Sequence, residues 1–175
     1  RENIDILCVG SDMNRDYEIL KNIPKTIKIK LITSLKINFK KNKNIEKVFG
    51  DFNKSFISDK KLRTYYCSAK IILIPLKNVF QPSGQSVALQ AMSCGKTVLI
   101  SQTKGIFDKT LLKDMHNIIF FKTNSSFSLN QKISMLLEND SLRDKIGKKA
   151  RKTVINNFTI NHMYNSLNKV LLKLS

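Results

Sequence analysis

The sequence predicts a doubly wound α/β fold: a mainly parallel sheet of five or six strands with helices on both faces, followed by a helical C-terminal tail. Three observations predict it. Short apolar runs alternate with helix-period segments through the first two thirds of the chain. The three later runs, IILI, VLI and IIFF, are continuously apolar, as strands covered on both sides are. The last third carries only helical stripes.

The first strand is read at Ile4 to Val9 and opens at Gly10 into a loop. A helical segment at Arg15 to Asn22 leads to a second strand at Ile27 to Ile32. Ser34 to Lys47 is polar and basic, so it reads as a mobile surface connection. Ser58 to Ala69 places Leu62, Tyr65, Tyr66 and Ala69 on one helical face. The strand Ile71 to Ile74 then passes through Pro75 into a loop of Gln, Ser and Gly, and a helix from Ser86 to Cys94 stops at Gly95. Strands at Val98 to Ile100 and Ile118 to Phe121 complete the sheet.

Three helices make the tail. Leu129, Ile133, Leu136 and Leu137 form one stripe; Leu142, Ile146, Ala150 and Val154 form a second behind a Ser141-x-x-Asp144 capping box; Met163, Leu167, Val170, Leu171 and Leu174 form a third behind Thr159. No repeat or Ser/Gly-rich linker divides the chain, so residues 1–175 are read as one domain. Arg1 is not a start methionine and a strand begins at once, so the expectation is a piece of a longer protein whose N-terminal half lies outside this chain.

Composition narrows the function. The 175 residues are 42% hydrophobic with no apolar run long enough to span a bilayer. Cys8, Cys67 and Cys94 are odd in number and widely spaced, which predicts buried thiols in a reducing compartment rather than a disulfide framework or zinc site. The net charge of +18 points toward nucleic acid, yet only five of the 31 basic residues are Arg, and the lysines are scattered without interleaved aromatics. A solvated basic surface is therefore preferred to an RNA-binding face. The six glycines never form Gly-x-Gly, which excludes the dinucleotide fingerprint. Gly95-Lys96-Thr97 lies between a helix and a strand, the reverse of a P-loop, and His116 and His162 lack ligand or triad spacing. No metal site is expected.

What remains is a pair of strand-to-helix junctions. In an open parallel sheet the carboxyl edge receives ligands, and a helix N-terminus offers unpaired N–H groups to a phosphate. Gly84 permits close approach of the backbone, while Ser83 and Ser86 are placed either to cap the helix or to touch a phosphate oxygen. Gly10 and Ser11 open the first loop toward Arg15, whose guanidinium suits a bidentate contact to the same anion. No Asp or Glu occurs between Asp59 and Asp108, so a cradle without a carboxylate base is expected, suited to a nucleoside diphosphate.

From Ser68 onward, SAKIILIPL, SGQSVALQAMSCGKTVLIS, GIFD, NIIFFKT and LLENDSLRDKIGKKARKTVINNFT, in that order, resemble the C-terminal domain of glycosyltransferase family 4, retaining enzymes of GT-B fold. The resemblance implies a Rossmann-like domain that binds a nucleoside-diphosphate sugar as donor, with no cofactor and no metal. It also implies an acceptor-binding N-terminal domain absent from this chain, toward which the tail packs back. The implied setting is cytoplasmic, with peripheral association at the inner face of a membrane. The family's two motif glutamates fall on Pro82 and Gln90. Gln90 then keeps one acceptor for the ribose, and Gln81 or Gln85 takes over the contact to the donor sugar. The family's pyrophosphate-binding cations are represented by Ser11 and Arg15, so one is retained. Loss of both glutamates leaves open a non-catalytic sugar-nucleotide or partner-binding module.

Overall fold

The computed structural model describes residues 3–50 and 57–172. Strands β1 (Ile4–Val9), β2 (Ile29–Ile32), β3 (Ile45–Val48), β4 (Ala69–Ile74), β5 (Thr97–Gln102) and β6 (Ile119–Lys122) form one sheet in the order β3-β2-β1-β4-β5-β6. Every neighbouring pair is parallel. The chain runs outward from β1 to β3, then returns to place β4 on the other side of β1. The β1–β4 seam is thus the topological switch point, where loops leaving the carboxyl ends diverge and a crevice opens.

Helices α1 (Asp59–Ser68), α2 (Gln85–Ser93), α3 (Ser126–Leu137), α4 (Asp140–Asn157) and α5 (Ile160–Leu171) follow the early strands, with a 3-10 segment at Tyr17–Asn22. The continuously apolar strands have a simple cause. Along β4, Ile72 and Ile74 enter a core with Tyr66, Ala88, Ala91 and Met92 from α1 and α2. Ile71 and Leu73 enter the opposite core with Leu20 of the 3-10 segment and Leu129, Ile133 and Leu136 of α3. Alternate side chains serve two cores, so both faces favour apolar residues.

The structure corrects several expectations. Ser34 to Lys47 does not remain a connection throughout, because Ile45 starts β3, pairing with Ile29 and burying its side chain while Glu46 and Lys47 face solvent. This edge strand carries one polar residue on each face, Glu46 and Lys47, and so escapes an apolar-run reading. The segment at Arg15 to Asn22 is helical only from Tyr17; Arg15 instead forms an antiparallel bridge with Leu76. The α4 cap is Asn139, whose side chain accepts from the Leu142 N–H, so Ser141 is already inside the helix. Cysteine burial holds for Cys8 alone: Cys67 is exposed and Cys94 half-buried. In the tail, Met163, Leu167, Val170 and Leu171 are all exposed, and no residue of α5 is buried; Leu174 lies outside the described residues.

Candidate functional site

Two loops meet at the β1–β4 seam and are stitched together by their own backbone. Asp16 N–H donates to the Pro75 carbonyl (3.0 Å) and Lys77 N–H to the Asn14 carbonyl (2.9 Å), on either side of the Arg15–Leu76 bridge. Tyr17 fixes the start of the first loop by donating its hydroxyl to the Gly10 carbonyl at 2.9 Å. Burial pushes that phenol's pKa up, so it remains a donor throughout the working range. Ser11 bridges toward β2, its Oγ accepting from Ser34 N–H at 2.8 Å.

These bonds hold Arg15 beneath the crevice. It is 6% exposed, and its Nε and Nη1 are buried without a hydrogen-bond partner. The guanidinium lies between two glycines with left-handed φ, Gly10 at 128° and Gly84 at 78°. A Cβ on Gly10 would meet Arg15 Nη2 at 2.7 Å, and one on Gly84 would meet Nη1 at 3.0 Å and Ile74 Cγ2 at 2.6 Å. Both positions therefore require glycine for conformation and for space.

Gly84 is the N-cap of α2, and its side chain offers nothing to the helix. The first intrahelical bond is Ala88 N–H to the Gly84 carbonyl, which leaves the N–H groups of Gln85, Ser86 and Val87 without helix partners. A buried cation, three such N–H groups and a positive dipole end thus converge on one crevice.

The cavity here has a volume of about 540 Å³. Its lining includes Gly10, Ser11, Arg15, Ser83, Gly84, Gln85, Ser86 and Gln90 of the residues picked from sequence. Gln81 is not among them. Its carbonyl lies instead against Gly105, where a Cβ would approach it to 2.7 Å, and Pro82 takes the place on the wall. Ile32, Ile57 and Leu62 supply an apolar wall that sequence reasoning did not select.

A carboxylate is present after all. Asp12 lines the cavity, and its Oδ2 accepts from the Ser83 hydroxyl at 2.6 Å, linking the two loops by side chains. Ser83 is therefore a loop clasp rather than a helix cap. Burial acts to raise the Asp12 pKa, but the bonds from Ser83 and Asn14 N–H together with the Arg15 charge hold it below the usual carboxylate value. Asp12 follows Gly10-Ser11 directly; the reading missed it by surveying acidic residues only between Asp59 and Asp108. Asp59, at the start of α1, also borders the cavity.

Gln90 is held across the helix pair: Tyr66 of α1 donates its hydroxyl to Gln90 Oε1 at 3.0 Å. Burial raises the Tyr66 pKa, so the phenol stays protonated and the acceptor at Gln90 is the one engaged. Among the described residues, no group of three or more His, Cys, Asp or Glu side chains is placed to hold a metal ion. No described helix is long and apolar enough to cross a membrane.

Residues 4–169 match the family described as glycosyl transferase-like. An uncharacterised glycosyltransferase of Methanocaldococcus jannaschii is 37% identical over 73 residues, 42% of this chain and 18% of that protein. Anabaena HepE, solved in complex with UDP-glucose, superposes with a TM-score of 0.76 at 15% identity, over 98% of this chain and 49% of that one. The C-terminal domain of a group 1 family glycosyl transferase from Francisella tularensis gives 0.68 at 17% identity, over 89% and 87%. The solved structures share the fold, an α/β Rossmann-like half of GT-B architecture; this chain spans under a fifth of the M. jannaschii protein and about half of HepE.

Proposed function

The chain belongs to the glycosyl transferase-like family, and from that premise we propose that its crevice binds the nucleoside diphosphate of a sugar donor for a metal-independent, retaining glycosyltransferase. One observation carries this reading. Arg15 is buried with Nε and Nη1 unpartnered, between two glycines and beside the N-terminus of α2. A buried guanidinium whose Nε and Nη1 lack acceptors is costly, and a diphosphate bridging Arg15 and the free N–H groups would supply those acceptors.

The lining offers both kinds of surface such a donor needs. Ile32, Ile57 and Leu62 provide apolar contact for a base, and Gln85, Ser86 and Gln90 provide polar groups for ribose and sugar. Binding of UDP-glucose by HepE, which shares this fold, makes UDP and its sugars the first donors to test. During transfer, negative charge accumulates on the departing diphosphate. Arg15 and the α2 N-terminus are positioned to stabilise that charge without moving, which is how preorganised donors lower a barrier.

The acceptor site and the rest of the catalytic machinery are assigned to an N-terminal domain outside this chain. The exposed apolar face of α5 is the surface read as packing back on it. A cytoplasmic enzyme resting on the inner face of a membrane fits the net charge of +18. A non-catalytic sugar-nucleotide module is the second reading, favoured by one observation: Pro82 and Gln90 stand where the family pattern has glutamates.

Calorimetric titration of the chain with UDP, GDP and their glucose conjugates tests the reading, with Arg15→Gln as control. Binding of at least one diphosphate is expected, weakened about tenfold or more in Arg15→Gln, because a charge-assisted contact is lost. Equal affinity in both proteins, or no binding of any diphosphate, would reject it. Turnover by the full-length protein would then separate enzyme from module.

A further inference from the structure

The net charge of +18 is not evenly spread along the chain: eight lysines lie between Lys21 and Lys43, a stretch without Asp, Glu or Arg. The fold gathers them onto one edge. Along the connection from β2 to β3, Leu35, Ile37 and Phe39 pack against the core, while the alternating Lys36, Asn38 and Lys40 are exposed. The turn that follows is bonded to the chain entering β2. The Asn42 side-chain amide donates to the Lys21 carbonyl at 3.5 Å, that of Asn44 to the Ile27 carbonyl at 3.0 Å, and Ile29 N–H to the Asn44 carbonyl at 2.9 Å. Lys25, Lys28, Lys41 and Lys43 are thereby brought to the amino ends of β2 and β3, all four exposed. The nearby acids are already engaged. Glu18 pairs with Lys21, Glu46 with Lys30 at 2.6 Å, and Asp5 with Lys70 at 2.8 Å, while Asp5 also accepts from Lys28 N–H. Among the described residues, Lys25, Lys36, Lys40, Lys41 and Lys43 have no carboxylate partner.

We propose that this lysine face docks the chain on an anionic lipid surface. Unpaired ammonium groups on flexible stems suit a fluid layer of anionic headgroups, which offers charge but no fixed geometry. A cluster of this size is drawn to the negative surface of a leaflet within a Debye length. Nucleic acid fits the face less well. It carries no arginine fork for a bidentate contact, and Phe39, the one aromatic in the stretch, is half-buried with Lys21 Nζ 5.9 Å over its ring. No exposed ring is offered to a base. The face lies at the amino edge of a parallel sheet whose carboxyl edge carries the donor crevice, so docking leaves the crevice mouth clear. The inference rests on the membrane association proposed above, to which it assigns a face, and needs no nucleotide.

The test is co-sedimentation of the chain with phosphatidylcholine vesicles, with and without about one-third phosphatidylserine. Two triple variants are compared with the unaltered chain. Lys40→Glu/Lys41→Glu/Lys43→Glu reverses the face; Lys145→Glu/Lys148→Glu/Lys152→Glu makes the same change in net charge at exposed positions of α4, which packs on β5 and α2. The unaltered chain is expected to bind the phosphatidylserine vesicles about tenfold or more tightly than the neutral ones, with affinity falling as salt is added. The first variant should lose about tenfold or more of that affinity, and the α4 variant should stay within about threefold of the unaltered chain. Equal losses in the two variants would show that net charge alone drives binding, and would overturn the assignment of the face while leaving membrane association standing. No preference for phosphatidylserine vesicles would overturn both. Binding of a mixed-sequence RNA that is lost in the first variant, without vesicle binding, would give the face to nucleic acid instead. UDP binding is titrated separately, so failure of the donor reading leaves this result untouched.

Discussion

At the scale of single residues, the crevice depends on groups that have no alternative conformation or partner. Gly84 is one: Gly84→Ala puts a methyl against Ile74 and Arg15 at a left-handed φ. The expected cost is about 1–3 kcal/mol of stability, read by denaturant unfolding, because overpacking and backbone strain act together. Asp12 gives a pH-dependent counterpart. Its carboxyl titrates below the ordinary value in the folded chain, mainly because the Ser83 hydroxyl and Asn14 N–H outweigh the opposing effect of burial. A depressed folded pKa means that ionised Asp12 contributes stability present in full above about pH 4 and lost as the pH falls through the folded value. Ser83→Ala should move the Asp12 carboxyl upward in an NMR titration and reduce the acid sensitivity of unfolding. An unmoved Asp12 resonance would mean that the clasp contributes nothing. Arg15 and Gly84 were legible from sequence because a cation and a glycine beside a strand-to-helix turn have few other uses. Tyr17 and Asp12 were not, since their roles rest on partners at Gly10 and Ser83 that only the folded seam brings near.

At the scale of elements, helix contacts fix the far wall of the crevice. Gln90→Glu should keep the Tyr66 bond, with a protonated phenol facing a carboxylate, and offer a second oxygen to ribose hydroxyls. Nucleotide affinity is expected to rise about three- to tenfold by calorimetry; weaker binding would mean that the pocket uses the amide as a donor. Packing of α4 on the end of α2 depends on Gly147, where a Cβ would fall on the Gly95 carbonyl. Gly147→Ala must push α4 outward and should lower stability by about 1–3 kcal/mol, read by thermal unfolding. The buried strands β4, β5 and β6 were readable because two-sided burial leaves an unbroken apolar run. Strand β3 was not, because an edge position lets Glu46 and Lys47 remain in water, and its polar pattern matches that of a loop.

At the scale of the whole molecule, α5 is a helix that the described residues leave without a buried side chain. Ile160, Met163, Leu167 and Val170 are each more than half exposed, although their spacing is that of a core-facing helix. The periodicity was plain in the sequence, but period alone cannot say whether the partner of an apolar face lies within the same chain. Deleting residues 160–175 should leave the unfolding midpoint within a few degrees, since few contacts are lost, while decreasing binding of a hydrophobic dye. A large fall in midpoint would show that α5 supports this fold directly. The sheet order carries the same argument to its functional end, because β1 and β4 diverge at one seam and Arg15 lies beneath it. A crystal structure of the chain with UDP tests that most directly. The account predicts the diphosphate between Gly10 and Gly84, with oxygens at about 3 Å from the Arg15 guanidinium and the first N–H groups of α2. A diphosphate bound elsewhere, or one in the crevice with Arg15 still unpartnered, would contradict it.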